Sequence, residues 1–325
     1  MQAVTFASPG GPEVLRITSA TDPVPTAEQV LVRVRATALN RADTLQRRGL
    51  YPPPPGESEI LGLELAGEVE RIGSTVTGIA SGDRVFGLVG GGSYAEKAVI
   101  DARMAMPIPA GWSFTQAAAV PEVFFTAQET IFTLGRLQAG ETILIHAGAS
   151  GVGTAGIQMA REIGARVFVT AGSADKLARC IDLGATAGCN YKTQDFAEWV
   201  KDMTKGVGVE VIEDFIGATY WERNLQSLKV GGRLVLVGLM GGIKAEANLQ
   251  LIMGKRLQIF GSVLRSRPLN EKIDITQRFQ QQWLPLLANG RIAPVIDRVF
   301  PIAEVAAAHR YMEENQNFGK IILAV

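Results

Sequence analysis

The sequence predicts a doubly wound, parallel α/β domain inserted into a mostly antiparallel β domain. Three observations carry that prediction. The chain has 325 residues, enough for two domains and a sizeable core. Up to about residue 120, short runs of β-forming residues sit between glycines and prolines. Beyond Thr142, apolar runs bounded by glycines alternate with helical stretches, the pattern of a parallel sheet covered on both faces. From residue 264 the character is mixed again. The chain therefore reads as residues 1–122, an inserted domain 123–263, and a return to the first domain over 264–325.

In the first part, the β-forming runs are residues 3–6, 29–36, 64–72, 84–88 and 93–99, with turns at 9–12, 81–83 and 90–92. Four prolines at 52–55 stiffen a loop immediately after Tyr51. Residues 114–134 read as an Ala-rich helix broken near Pro121. Strands follow at 142–147, 166–171, 209–215, 233–238 and 257–262, with a short one at 189–191. Helices at 152–163, 174–183, 195–204, 220–228 and 248–253 lie between them. The last part offers helices at 273–288 and 303–314 and strands at 295–300 and 321–325.

Composition removes several classes of function. Apolar residues make up 47% and charged residues 20%, which excludes a largely disordered chain. Thirty-two basic residues balance thirty-two acidic ones, and this neutrality argues against a nucleic-acid partner held by bulk electrostatics. Cys180 and Cys189 are the two cysteines, too few for a four-cysteine zinc site or a disulfide framework. No apolar run is long enough to span a membrane, and residues 1–6 lack a secretory pattern, so a cytoplasmic protein is expected.

The strongest local signal is the run from Ile143 to Gly156, an apolar strand entering a glycine-rich turn and leaving as a helix. Such a turn lets backbone approach a pyrophosphate while a helix N-terminus points N–H groups at it. Gly151, Gly153 and Gly156 match G-x-G-x-x-G literally, but Gly156 would then lie well inside the helix. Gly148, Ser150 and Gly153 put the turn directly after the strand, and this register is preferred, with Gly151 and Val152 completing it. The Ser150 hydroxyl is also available to a ligand.

An acid about 20 residues past the glycines normally reads a ribose without the extra phosphate. Here the second strand ends in Gly172 and Ser173, with Lys176 one turn on. Neutral donors and a lysine suit a 2′-phosphate, which a carboxylate would repel. Tyr191 could donate its hydroxyl or stack on adenine, and Asp175 reads as a solvated acid at a helix start.

Residues 146–153, the segment Ala38-Leu39-Asn40-Arg41-Ala42-Asp43 and Gly62-Leu63-Glu64-Leu65-Ala66-Gly67 resemble the medium-chain dehydrogenase/reductase superfamily. Within it the chain is most similar to the zinc-independent, zeta-crystallin-like quinone oxidoreductases. The resemblance covers essentially the whole length and implies a Rossmann cofactor domain inserted in a GroES-like catalytic domain. Asn40 stands where zinc members place a cysteine, and Leu63 where they place a histidine, so no metal is expected. Without a Lewis acid, an already electrophilic quinone is a more fitting acceptor than an alcohol is a donor.

The resemblance further implies NADPH bound in an interdomain cleft. Asn40 and Thr126 would touch the nicotinamide and its ribose, and Gly148–Gly153 the pyrophosphate. Gly172, Ser173, Lys176 and Tyr191 would hold the 2′-phosphate end. Ile216, Gly238, Met240, Leu264 and Asn317 would line the rest of the path. Tyr51 is the candidate for substrate contact, with Asn40 as its catalytic partner; Asp43, Glu64 and Asp214 read as structural carboxylates. The implied reaction is hydride transfer from NADPH to a small-molecule quinone. An enal or enoyl double-bond reductase, or a redox-responsive NADPH-binding protein without catalysis, remain as alternatives. The apolar edge at 257–262 points to a homodimer.

Overall fold

The computed structural model describes residues Met1–Val325, and they divide into two units. Unit 1 comprises Met1–Phe125 with Leu264–Val325, and unit 2 comprises Thr126–Val263.

Unit 1 opens with the antiparallel pair β1 (Gln2–Thr5) and β2 (Arg16–Ser19). There follow β3 (Gln29–Ala38), helix α1 (Arg41–Arg47), β4 (Glu64–Ile72), β5 (Arg84–Leu88), β6 (Lys97–Asp101), β7 (Met106–Pro107) and α2 (Phe114–Ala118). Helix α3 (Pro121–Ala127) begins at its proline, where a missing N–H costs nothing, and continues as π-helical Gln128–Leu134. The single broken helix expected over 114–134 is thus three segments.

Unit 2 continues with β8 (Thr142–Ile145), α4 (Gly151–Glu162), β9 (Arg166–Ala171), α5 (Ala174–Asp182), β10 (Ala187–Asn190) and α6 (Phe196–Met203). Its second half is β11 (Val209–Asp214), α7 (Trp221–Ser227), β12 (Leu228–Leu236), α8 (Leu249–Lys255) and β13 (Gln258–Gly261). The chain then re-enters unit 1 as α9 (Leu269–Gln282), α10 (Leu284–Ala288), β14 (Ile296–Pro301), α11 (Val305–Glu313) and β15 (Lys320–Ala324). The helix expected over 273–288 is broken at Trp283, because Pro285 lacks the N–H that a continuing turn would need.

The unit 1 sheet runs β14-β15-β3-β4-β5-β7, with β6 pairing a further stretch of β3. All its pairs are antiparallel except β14 with β15. Phe86, Phe124, Phe125 and Phe279 are all fully buried, and Phe125 packs on Phe279 with ring centroids 4.7 Å apart. That packing keeps the residues just after Pro121 with unit 1.

The unit 2 sheet is wholly parallel, in the order β10-β9-β8-β11-β12-β13. All four residues of β8 are buried, which is why this strand reads as an unbroken apolar run rather than an alternating one. Strand order reverses between β8 and β11, the switch point at which such sheets bind ligands beyond the strands' carboxyl ends. No helix is long and apolar enough to cross a membrane.

Candidate functional site

In unit 2 the sequence candidates gather at one edge of the parallel sheet. Gly148 follows β8, Gly172 follows β9, Tyr191 follows β10, Ile216 follows β11, and Gly238 and Met240 follow β12. At the first of these ends, the backbone turns through Ala147, whose φ of 51° is left-handed. Gly148 donates its N–H to Thr170 O at 2.9 Å, and a Cβ there would lie 2.8 Å from Val169 Cβ.

Ser150 caps α4, its Oγ accepting from the Gly153 N–H at 3.0 Å. A Cβ on Gly153 would stand 2.6 Å from Ala147 O, so only glycine lets the helix start close over the strand end. Gly156 lies a turn further in and packs against Ile131 and Ile145. The turn itself is therefore formed by Gly148, Ser150 and Gly153, with Gly151 and Val152 opening the helix. N–H groups at the start of α4 suit a dinucleotide pyrophosphate.

After β9, Ser173 caps α5 by accepting from the Lys176 N–H at 3.3 Å. A Cβ on Gly172 would lie 2.7 Å from the Tyr191 hydroxyl, which brings the two strand ends together. Tyr191 is exposed, as is Asp175 in the first turn of α5.

A buried polar chain locks three of these strand ends. His146 Nδ1 faces Thr170 Oγ1 at 3.0 Å and Nε2 faces Asn224 Oδ1 at 2.7 Å. Asn224 in turn donates to Asp214 Oδ2, which also accepts from the Gly217 N–H, while Oδ1 accepts from the Ile216 N–H. Burial pushes the His146 pKa down to about 4, so the ring is neutral. It donates from Nε2 and accepts at Nδ1. Asp214 thus shapes the loop holding Ile216. Thr126 is buried, its carbonyl accepting from Thr130, whose hydroxyl meets the buried Glu213 at 2.5 Å.

In unit 1 the candidates Asn40 and Glu64 form one buried cluster with a residue that sequence reasoning passed over, Lys320. Asn40 Nδ2 donates to Glu64 Oε1 at 2.8 Å. The Lys320 ammonium donates to Glu64 Oε1 at 2.7 Å, Asn40 Oδ1 at 2.8 Å and Leu39 O at 3.1 Å. Glu64 Oε2 accepts from the Glu122 N–H at 2.9 Å. Asp43 fixes the backbone alongside, accepting from the N–H groups of Asn40 and Gly62 and from the Tyr94 hydroxyl. Burial raises its pKa to about 6. Asn317 bonds to Gly319 O just before Lys320, and Leu264 is buried.

Tyr51 sits at the start of the proline-stiffened loop, half-buried, with the Arg265 guanidinium carbon 5.6 Å from its ring centre. Burial and then the charge of Glu122 raise its pKa, so the phenol keeps its proton at neutral pH. Glu122 is itself raised to about 8, first by burial and then by Glu64.

Comparisons with known proteins decide the family. Residues 26–110 match the family described as alcohol dehydrogenase GroES-like domain, and residues 151–286 the family described as zinc-binding dehydrogenase. Quinone oxidoreductase of Rattus norvegicus is 34% identical, covering 99% of this chain and 97% of its own. Quinone oxidoreductase of Pseudomonas aeruginosa is 35% identical over 98% of both. This chain belongs to the quinone oxidoreductase family of the medium-chain dehydrogenases/reductases. A crystal structure of Escherichia coli quinone oxidoreductase complexed with NADPH superposes with a TM-score of 0.92 at 31% identity, each chain covered in full. The CurK enoyl reductase structure gives 0.88 at 28% identity, covering 99% of this chain and 98% of its own.

Three residues packed against the candidates were not foreseen: Lys320, Glu122 and Arg265. A lone lysine opening an apolar run was the visible sign of Lys320, since an ammonium at the head of a buried strand needs a partner. Arg265 and Glu122 carried no local sign.

Proposed function

We propose that this protein passes hydride from NADPH to a quinone. One observation carries the reading. The ends of β9 and β10 offer Gly172, Ser173, Lys176 and Tyr191, with no carboxylate at the strand end itself and Asp175 exposed in the first turn of α5, in a chain related over its full length to quinone oxidoreductases. A 2′-phosphate suits that set, and the glycines whose Cβ atoms would collide give the pyrophosphate its close approach. Gly148, Ser150, Gly151, Val152 and Gly153 would hold the pyrophosphate. Asn40, Thr126, Ile216, Gly238, Met240, Leu264 and Asn317 would receive the nicotinamide half.

NADPH supplies the hydride when bound. The protein's own residues position the acceptor and manage charge. Asn40 is committed on both sides of its amide, to Lys320 and to Glu64, so it is rigid. Fixed positive charge beside Asn40 and Glu64 comes from the Lys320 ammonium, which supports a metal-free reaction. Tyr51 offers a protonated hydroxyl to an acceptor carbonyl.

Loss of reduced-nicotinamide absorbance on mixing protein, NADPH and benzoquinone or naphthoquinone tests the proposal. Turnover of an enal or enoyl thioester with no quinone turnover would replace it by double-bond reduction. That second reading is favoured by the CurK enoyl reductase likeness and by a segment of the Mycobacterium marinum polyketide synthase, 35% identical over 92% of this chain.

The same reading takes the protein as a cytoplasmic homodimer. β13 is an outer strand paired with β12 alone, and Val263, two residues beyond its end, is exposed. Sedimentation at the monomer mass would reject the dimer.

A further inference from the structure

Glu213 is an acid on β11, fully buried within unit 2. Its Oε1 faces the Thr130 hydroxyl at 2.5 Å, and its Oε2 meets no donor. A Cβ on Gly156 of α4 would lie 2.8 Å from Ile131 Cδ1, 3.2 Å from Ile145 Cδ1 and 3.6 Å from that oxygen, which therefore looks onto an apolar wall. A carboxylate with one donor is costly in such a place, and burial pushes the pKa up to about 8. No cation offsets the cost. On the π-helical segment, Glu129 accepts from Thr133. Arg161 and Glu162 of α4 pair with each other, and Lys229 and Arg233 of β12 pair with Glu210 and Glu141. His146, just beyond β8, is neutral.

Thr130 has one hydroxyl proton and two oxygens competing for it. The Thr126 carbonyl oxygen lies 2.7 Å away, one helical turn back, and Glu213 Oε1 lies 2.5 Å away. A neutral Glu213 satisfies both contacts, because the acid donates to Thr130 and Thr130 donates to Thr126. An ionised Glu213 can only accept, so it draws the Thr130 proton and leaves the Thr126 carbonyl without it. The backbone at the acid's end is fixed, since the Glu213 carbonyl accepts from the His146 N–H at 3.0 Å. Glu213 and Thr130 are 0% exposed and out of reach of any ligand, whereas Thr126 keeps 8% of its surface open.

We infer that Glu213 is a positioning residue for NADPH, its carboxyl acting through the Thr130 hydroxyl to hold Thr126 at the nicotinamide ribose. The inference rests on the hydride-transfer reading, which gives Thr126 that place. Loss of the Glu213 proton, at about pH 8, turns the Thr130 hydroxyl away from Thr126 and loosens the hold. By linkage, bound NADPH favours the protonated acid, so binding near that pH takes up a fraction of a proton.

The test follows NADPH affinity by nucleotide fluorescence on either side of pH 8, in the full-length protein and in Glu213→Gln and Thr130→Val. Wild-type affinity should fall about fivefold as pH rises through about 8, the worth of one hydrogen bond. Glu213→Gln keeps a donor for Thr130 and cannot ionise, so it should match the wild type at neutral pH and show no step. Thr130→Val can bond neither group and should bind about fivefold more weakly at every pH, the loss falling on KM for NADPH and not on kcat. Calorimetry near pH 8 in buffers of different ionisation enthalpy should show proton uptake on binding in the wild type and none in Glu213→Gln. A residue that only fills the core would move melting temperature and leave the binding profiles alike. A wild-type profile that superposes on that of Glu213→Gln, or Thr130→Val binding like the wild type, would overturn the inference. Wild-type protein that binds no NADPH at any pH would instead remove the reading beneath it.

Discussion

The Lys320 ammonium lies 2.7 Å from Glu64 Oε1, with the two side chains 3% and 0% exposed. Removing one partner leaves the other charge buried alone. Lys320→Met should therefore destabilise unit 1 by about 3–5 kcal/mol. Lys320→Met with Glu64→Leu should regain much of that loss, read as the shift in chemical-denaturation midpoint. Equal instability of the single and double variants would show that the pair is not coupled.

The strand-end set after β9 makes a prediction about cofactor choice. Lys176→Glu puts a carboxylate where the 2′-phosphate is proposed to sit, so NADPH should weaken about 10- to 100-fold more than NADH. Titrating protein fluorescence with each nucleotide measures the ratio. Equal weakening would place Lys176 away from the phosphate.

Glu213 gives a pH dependence of stability. Burial raises its pKa from 4.5 to about 8, so the folded protein favours the protonated form. Between those values the native state binds more protons than the unfolded chain, and this group's contribution is full below pH 4.5 and lost by about pH 8. Glu213→Gln should flatten that part of a melting-temperature profile. His146, lowered from 6.5 to about 4, acts in the opposite sense, its contribution being lost as pH falls between those values.

Glu122 makes the corresponding prediction for activity. Its carboxyl is neutral below about pH 8, and above that a carboxylate competes for the field of Arg265. Quinone reduction should decline above about pH 8 in the wild type. Glu122→Gln should remove the decline without changing the rate at pH 7 by more than about twofold, a small effect expected where a neutral amide replaces a neutral acid.

How much of this was legible follows from distance along the chain. The unit 2 sheet was readable because each strand is a short apolar run followed at once by its own turn, and the Gly148–Gly153 turn is a local pattern. Residues Gly172, Ser173 and Tyr191 could be placed because a parallel sheet sets every strand end on one edge. The Glu64 cluster could not, since Lys320 arrives from 256 positions away and only the fold brings it there. Arg265 was hidden for a related reason: what distinguishes it is a lack of acceptors, and no sequence displays that. The break at Pro121 was legible, whereas the helix expected over 273–288 failed at a single proline, Pro285.

The return of the chain to unit 1 also constrains the order of biosynthesis. β15 pairs with β14 on one side and with β3 on the other, so the mixed sheet stays split until the final strand has left the ribosome. By then unit 2 has been translated whole and is free to close on its own contacts. A nascent chain paused before Lys320 would carry a finished nucleotide fold and a half-built partner whose Glu64 has no counter-charge, the state in which chaperone capture and proteolysis have most to act upon.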